Sequence, residues 1–179
     1  MKNYTIRSAC PDDAAALAGI YSYYVENTAI SFEYEAPDVA EFSERIKGTL
    51  KKYPFIVLED EGEIKGYAYA GAFKTREAYK FSVEITIYLK NGCQKNGYGK
   101  VLLAALEKEL SQRGFTNANA CIAYVEKEDE YLNHNSMEFH AHMGYRLVGI
   151  FNKCAYKFDR WYDMLWMEKH IGEHSQKNM

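Results

Sequence analysis

The first residue in this sequence that suggests chemistry is a carboxylate inside a strand pattern. Across 82–89, Val83, Ile85, Ile87 and Leu89 alternate with Ser82, Glu84, Thr86 and Tyr88, which puts Glu84 in the middle of one face of a predicted strand. Desolvation there raises a carboxyl pKa toward the range useful to a general base. The plainer reading is a structural carboxylate paired with Lys74 or Arg76. After the strand come Gly92, Gly97 and Gly99, then a helical pattern. Glycines let backbone approach a ligand, and the unbonded N–H groups of a helix start attract anions. An ordinary tight turn has the same composition. Lys74, Thr75 and Arg76 offer two cations and a hydroxyl that suit a carboxylate, or else form a solvated basic turn. His140, four residues before Gly144, is a side chain able to exchange a proton near neutrality, or one that only packs in a helix.

Several other chemistries fail on spacing. Gly92 and Gly97 have the separation of a nucleotide P-loop, but Tyr98 stands where lysine is required. Gly97 and Gly99 begin a dinucleotide fingerprint, but Leu102 occupies the third glycine position. The four cysteines, Cys10, Cys93, Cys121 and Cys154, form no C-x-x-C motif and read as free thiols of a reducing cytoplasm. His170 and His174 lie on a polar tail and read as solvated, so no metal site is expected.

The elements that must position these residues follow from periodicity. Tyr4 to Arg7 is a short strand. Pro11 with Asp12 and Asp13 opens a first helix, with Leu17, Ile20, Tyr21 and Tyr24 at helical spacing up to about Asn27. Pro37 and Asp38 open a second, whose stripe is Val39, Phe42, Ile46 and Leu50 and which ends at Tyr53-Pro54. Strands are expected over 55–59 and 64–73, joined by a hairpin turn at 60–63. After the 82–89 strand and the glycine loop, Leu102, Leu103, Leu106 and Leu110 mark a strong helix closed by Gly114. A strand at 117–124, an acidic loop, a short helix at 136–143 and strands at 145–151 and 162–168 complete the chain. The order β-α-α-β-β-β-α-β-α-β-β predicts an α/β fold of α+β character, a mixed central sheet of six to seven strands with helices on both faces. The expected organisation is a single domain over 1–170 with a polar tail at 171–179.

With 179 residues, 47% of them hydrophobic, the chain can bury a core, which excludes a disordered protein. A formal net charge of -3 gives no basic footprint for nucleic acid. No apolar run approaches the length of a membrane span, and the first residues have no apolar signal core, so a cytoplasmic protein with neither a membrane nor a nucleic-acid partner is expected.

Gln94-x-x-Gly97-x-Gly99 fits the Q/R-x-x-G-x-G/A motif of acetyl-CoA-dependent N-acetyltransferases of the GNAT superfamily, which the chain resembles. The resemblance sharpens in four segments: 25–33 (Val-Glu-Asn-Thr-Ala-Ile-Ser-Phe-Glu), 73–79 (Phe-Lys-Thr-Arg-Glu-Ala-Tyr), Ser82-Val83-Glu84, and 157–163 (Lys-Phe-Asp-Arg-Trp-Tyr-Asp). Together these look like phosphinothricin and methionine sulfoximine acetyltransferases, over about residues 4–169.

The resemblance implies a GNAT fold in which acetyl-CoA lies where two parallel strands, 82–89 and 117–124, splay apart. Pantetheine would run beside Ile87, Tyr88 and Leu89. Gln94, Lys95, Asn96, Gly97, Tyr98, Gly99 and Lys100 would wrap the pyrophosphate, with Gln94 uncharged where relatives often carry arginine. Asn133, with Ser136 completing an N-x-x-S/A motif, would contact the cofactor arm, unless it only caps a helix. Glu84 would be the base, directly or through water, and His140 the proton donor to the leaving thiolate. A backbone N–H near Ile87 would face the thioester oxygen. Phe32, Lys74, Thr75, Arg76, Glu84, Ile85 and Thr86 would form the substrate site, with Tyr79 and Trp161 as further walls. The implied reaction is direct acetyl transfer, in a ternary complex, to the α-amine of a small amino-acid-like substrate by a homodimer. The alternatives are an acetyltransferase of protein N-termini or lysines and a non-catalytic acetyl-CoA-binding module.

Overall fold

The computed structural model describes residues 4–175. The elements are β1 (Tyr4–Ser8), α1 (Ala14–Asn27), α2 (Val39–Leu50), β2 (Phe55–Asp60), β3 (Glu63–Ala72), β4 (Ser82–Leu89), α3 (Tyr98–Gln112), β5 (Asn117–Tyr124), α4 (Asn135–His142), β6 (Arg146–Lys157) and β7 (Arg160–His170). Short 3-10 turns at Pro11–Asp13 and Glu77–Tyr79 precede α1 and β4. One seven-stranded sheet runs β1-β2-β3-β4-β5-β7-β6. Every neighbouring pair is antiparallel except β4 with β5.

Strand alternation divides the core. Phe55, Val57 and Tyr67 face α1 and α2, where they pack with Leu17, Tyr21, Val25, Phe42 and Ile46. Ile56, Leu58, Ala68, Val83 and Ile85 face the opposite way, onto Leu102, Leu103, Leu106 and Leu110 of α3. Each layer buries several large side chains at about 1.5–3 kcal/mol apiece, and this apolar burial holds the helices to the sheet. At the start of α2 the Asp38 carboxylate accepts the Glu41 N–H at 2.8 Å, a cap for a first-turn amide. Near β1, Asp13 receives two hydrogen bonds from the Arg7 guanidinium, each 2.8 Å long.

Three expectations change. Val39 is 51% exposed, so the buried stripe of α2 begins at Phe42. β6 runs six residues past the expected 151, because the chain bulges between Phe151 and Ala155 and then pairs again with β7. Residues after β7 turn back onto the body: the Ile171 N–H donates to the Thr116 carbonyl at 2.8 Å, and His174 Nε2 lies 2.7 Å from Asn117 Oδ1. Residues 176–179 of the expected tail lie outside the described residues. Among the described residues no helix is long and apolar enough to cross a membrane.

Candidate active site

The single parallel pair creates the site. β4 and β5 are paired only from Ser82↔Asn117 to Ile85↔Ala120. Beyond that point β4 stays on β3 as far as Leu89, and β5 stays on β7 as far as Tyr124. Buried Asn119 donates its side-chain amide to the Val83 carbonyl at 3.0 Å, tying the two strands together beside Glu84. Past Ile85, the β4 backbone groups directed at β5 have no strand partner, and buried polar backbone needs one. A cleft of about 360 Å³ opens there.

Glu84, Ile85, Thr86, Ile87 and Tyr88 form one side of this cleft. Ala120 to Ala123 of β5 form the other, with Ser136 and His140 of α4 contributing from the helix. Phe32 lines it too, together with Ile30, Ser31 and Glu33. The sequence expectation thus converges for Glu84, His140, Phe32, Ile85, Thr86, Ile87, Tyr88 and Ser136. Tyr21, Ser31, Glu33, Tyr69 and Cys121 were not anticipated, because only the topology brings α1, the 28–33 strap and β5 together.

Glu84 is half-buried. Burial raises its carboxyl above the ordinary value, and the Lys74 ammonium draws it partly back. Lys74 itself lies over the rings of Phe73 and Trp166, with Nζ 4.9 and 5.3 Å from their centroids. Lys74, Thr75 and Arg76 are all exposed in this loop, outside the cleft lining. Tyr79 packs on Phe73, and Trp161 is 58% exposed beside Tyr156; neither lines the cleft.

His140 is 4% exposed. Its Nδ1 lies 2.8 Å from the Ser136 carbonyl, an acceptor, so this nitrogen carries the proton and Nε2 is the lone-pair nitrogen of the neutral ring. Burial lowers the ring's pKa, only partly offset by that hydrogen bond. Nε2 is buried with no protein partner among the described residues. A neutral ring with an unused lone pair is a proton or hydrogen-bond acceptor, which changes the expectation of a standing proton donor.

The glycine loop meets the cleft at the end of β4. Gly97 precedes α3 with φ 84°, a left-handed value that glycine adopts without strain. No side chain caps the helix start. First-turn N–H groups lack intrahelical acceptors and carry the positive end of the helix dipole, a fit for phosphate oxygens. Gly99 is the close-approach glycine: a Cβ there would stand 3.2 Å from the Phe139 ring of α4. Lys95, Asn96 and Lys100 are exposed around this turn, whereas the Tyr98 side chain is buried and its hydroxyl bonds to Asp60. The Gln94 amide reaches the Tyr24 hydroxyl at 3.4 Å, and that hydroxyl donates to the Leu89 carbonyl at 2.5 Å. Asn133 is exposed, and its side-chain oxygen accepts the Asn135 N–H at 3.1 Å, a turn leading into α4. Among the described residues no group of three or more His, Cys, Asp or Glu side chains is placed to hold a metal.

Comparison with known proteins agrees with this geometry. Residues 6–166 match the family model described as an acetyltransferase (GNAT) domain. The chain is 32% identical over 159 residues to the phosphinothricin N-acetyltransferase of Streptomyces viridochromogenes, covering 89% of this chain and 83% of that one. It is 29% identical over 175 residues to the L-methionine sulfoximine/L-methionine sulfone acetyltransferase of Salmonella typhimurium, covering 96% of each. The crystal structure of a GNAT superfamily phosphinothricin acetyltransferase from Sinorhizobium meliloti, in complex with acetyl-CoA, superposes with a TM-score of 0.88 at 32% identity, over 98% of this chain and 92% of that one.

Proposed function

The chain belongs to the GNAT acetyltransferase family, and from that premise we propose that it transfers the acetyl group of acetyl-CoA to the α-amine of a small amino-acid-like substrate of the phosphinothricin, methionine sulfoximine or methionine sulfone type. The observation that carries this reading is the cleft itself. It opens where β4 and β5 part, with a pKa-raised carboxylate on one strand and an uncapped helix start at that strand's end. Gln94 to Lys100 would hold the pyrophosphate, Ile87 to Leu89 the pantetheine, and Asn133 and Ser136 the arm beside α4.

When bound, acetyl-CoA supplies the acetyl group as a thioester. Glu84 takes one proton from the substrate ammonium, freeing the nitrogen lone pair for attack. The backbone N–H groups of β4 beyond Ile85 face the carbonyl oxygen as charge develops on it. The N–C bond forms and the C–S bond breaks. The second proton of the nitrogen ends on sulfur, where the Nε2 lone pair of His140 accepts the thiol hydrogen. Lys74, whose charge acts on Glu84, would attract the substrate carboxylate, with Thr75 and Arg76 in the same loop.

A homodimer through the β6 face fits the apolar surface there. Leu147, Val148 and Phe151 are 54%, 59% and 57% exposed on an edge strand, which soluble proteins ordinarily cover or charge. The unpaired thiols of Cys10, Cys93, Cys121 and Cys154 suit a reducing cytoplasm.

The test is acetyl-CoA-dependent thiol release against methionine sulfoximine, methionine sulfone, phosphinothricin, ordinary amino acids, simple amines and short N-terminal peptides. Saturable turnover on the first three supports the reading. Turnover on peptides alone moves the substrate to protein. Acetyl-CoA binding without any turnover makes the chain a binding module.

A further inference from the structure

One wall of the cleft is the strap 28–33, which is neither helix nor strand yet supplies Ile30, Ser31, Phe32 and Glu33 to the lining. A pocket wall built from irregular chain needs something to hold it. Under the strap lies Lys157, the last residue of β6 and only 2% exposed. Its Nζ donates to the carbonyls of Val25 at 2.7 Å, Thr28 at 3.0 Å and Ser31 at 2.6 Å. An ammonium has three donors, and all three are used. The Val25 carbonyl belongs to the last turn of α1, where a cation is favoured by the helix dipole. The next two acceptors follow at intervals of three residues, so the chain leaving α1 curls around one positive charge.

Lys157 is in turn aimed by its hairpin. Phe158 and Asp159 join β6 to β7 with φ of 52° and 58°, a two-residue turn in the left-handed region without a glycine. The Phe158 ring stacks on Tyr131 with centroids 4.1 Å apart, holding that turn. Arg160, paired with Lys157 across the hairpin, bonds to Asp129 at 3.0 Å and to Glu130 at 2.6 Å. The Tyr131 carbonyl accepts the Ala29 N–H at 3.0 Å, so the same hairpin supports the strap a second time.

We infer that Lys157 is a positioning residue for the acetyl acceptor: its ammonium gathers the carbonyls of Val25, Thr28 and Ser31 and so sets the strap wall against which the substrate amine is presented to Glu84. It touches neither substrate nor acetyl-CoA. The inference rests on the small-amine reading of the cleft. Removing the charge leaves three converged carbonyl dipoles with no donor, and the strap opens to rehydrate them.

The experiment is Lys157→Met, which keeps the stem and deletes the ammonium, with hydrogen exchange read on both proteins. In the wild type the amides of Ala29, Ile30 and Glu33 are expected to exchange slowly; their acceptors are the Tyr131 carbonyl, Thr28 Oγ1 and Ser31 Oγ. In Lys157→Met these amides speed up while those of α3 do not. Acetyl-CoA affinity by calorimetry stays unchanged, and KM for the turned-over amine rises by about tenfold or more with a smaller change in kcat. An unchanged KM in a folded variant overturns the inference. So does a parallel loss of acetyl-CoA binding, which marks a general fold defect. If Lys157→Met does not fold, Lys157→Gln is read the same way, and fast wild-type exchange across 29–33 overturns the inference without any variant. If the wild type acetylates no small amine, the small-amine reading fails, while the exchange comparison still decides whether Lys157 orders the strap.

Discussion

Replacing Glu84 by Gln tests the division of labour in the cleft most directly. The amide keeps the size of the side chain and its place on β4, but cannot take a proton. Burial raises the Glu84 carboxyl and Lys74 only partly lowers it, so its proton affinity is shifted toward that of a useful base. General-base catalysis contributes roughly 10²–10⁴-fold, or about 3–5 kcal/mol of barrier, and kcat/KM is expected to fall by that order. The pH profile carries more information than the magnitude. Wild-type kcat/KM should rise with pH through the elevated Glu84 pKa, because the proton-free form acts. His140 has a pKa lowered by burial, and in the proposed mechanism its neutral form is the one that acts. The wild-type acid limb is therefore composite, and Glu84→Gln should retain only the His140 ionisation. The assay is chromogenic detection of released coenzyme A thiol across weakly acid to weakly alkaline buffers, with acetyl-CoA affinity measured separately by calorimetry. Wild-type kcat/KM in the variant at neutral pH, or an acid limb that still shows both ionisations, would refute the base assignment.

Three further outcomes follow from neighbouring geometry. Tyr24→Phe removes the hydroxyl that joins the Leu89 carbonyl to the Gln94 amide, so the glycine loop loses a tie worth about 0.5–1.5 kcal/mol; acetyl-CoA Kd should rise about threefold to tenfold, and an unchanged Kd in calorimetry would count against that role. Gly97→Ala puts a Cβ at φ 84°, costing about 1–2 kcal/mol, and turns the helix-start amides away from the phosphates; both Tm and acetyl-CoA affinity should drop, and loss of Tm alone would separate the loop from the cofactor. Asp13→Asn breaks the paired hydrogen bonds with Arg7, which hold the Asp13 carboxyl below its usual range. A depressed folded pKa stabilises above the unfolded value and is lost as pH falls through the folded one. The variant should therefore be less stable by about 1–2 kcal/mol at neutral pH and converge with the wild type in acid, as read from urea unfolding at both; an equal deficit at both would contradict the linkage.

How far the site could be read from sequence depended on whether each residue's neighbours were local. β4 and β5 begin and end where alternation placed them, because their turns and side-chain period lie within the strand itself. Glu84 was legible as a carboxylate out of place in a strand, and His140 through the family resemblance, which implies a proton donor at that position. β6 was only half legible. Asn152, Lys153 and Cys154 interrupt its alternation, and Lys153 takes φ 49°, so the segment that re-pairs with β7 looks like loop. The role of Lys157 has no local signal, since its three acceptors lie more than 120 residues away in sequence. Tyr21 reads as part of the helical stripe and is buried in the core, with Tyr69 packed against it; that both also wall the cleft follows from α1 crossing β3 and β4.

Two carboxylates line the cleft, Glu33 and Glu84, and their surroundings separate their roles. The Glu33 oxygens receive Arg45 Nη1 at 2.8 Å and Nη2 at 3.1 Å, a bidentate pair that uses the acceptor faces a proton would need. The same Arg45 bonds to Glu41 of α2, so Glu33 anchors the far end of the strap to that helix. Glu84 has no such fork among the described residues; the cation that acts on it, Lys74, lies over two aromatic rings and acts through space. A carboxylate held in a fork is a fastening, and one desolvated without a partner is a proton acceptor. The strap is thus fixed at one end by an ammonium that gathers carbonyls and at the other by a guanidinium that grips Glu33. Between these fixtures the only carboxylate in the described lining whose oxygens remain available to a substrate ammonium is Glu84.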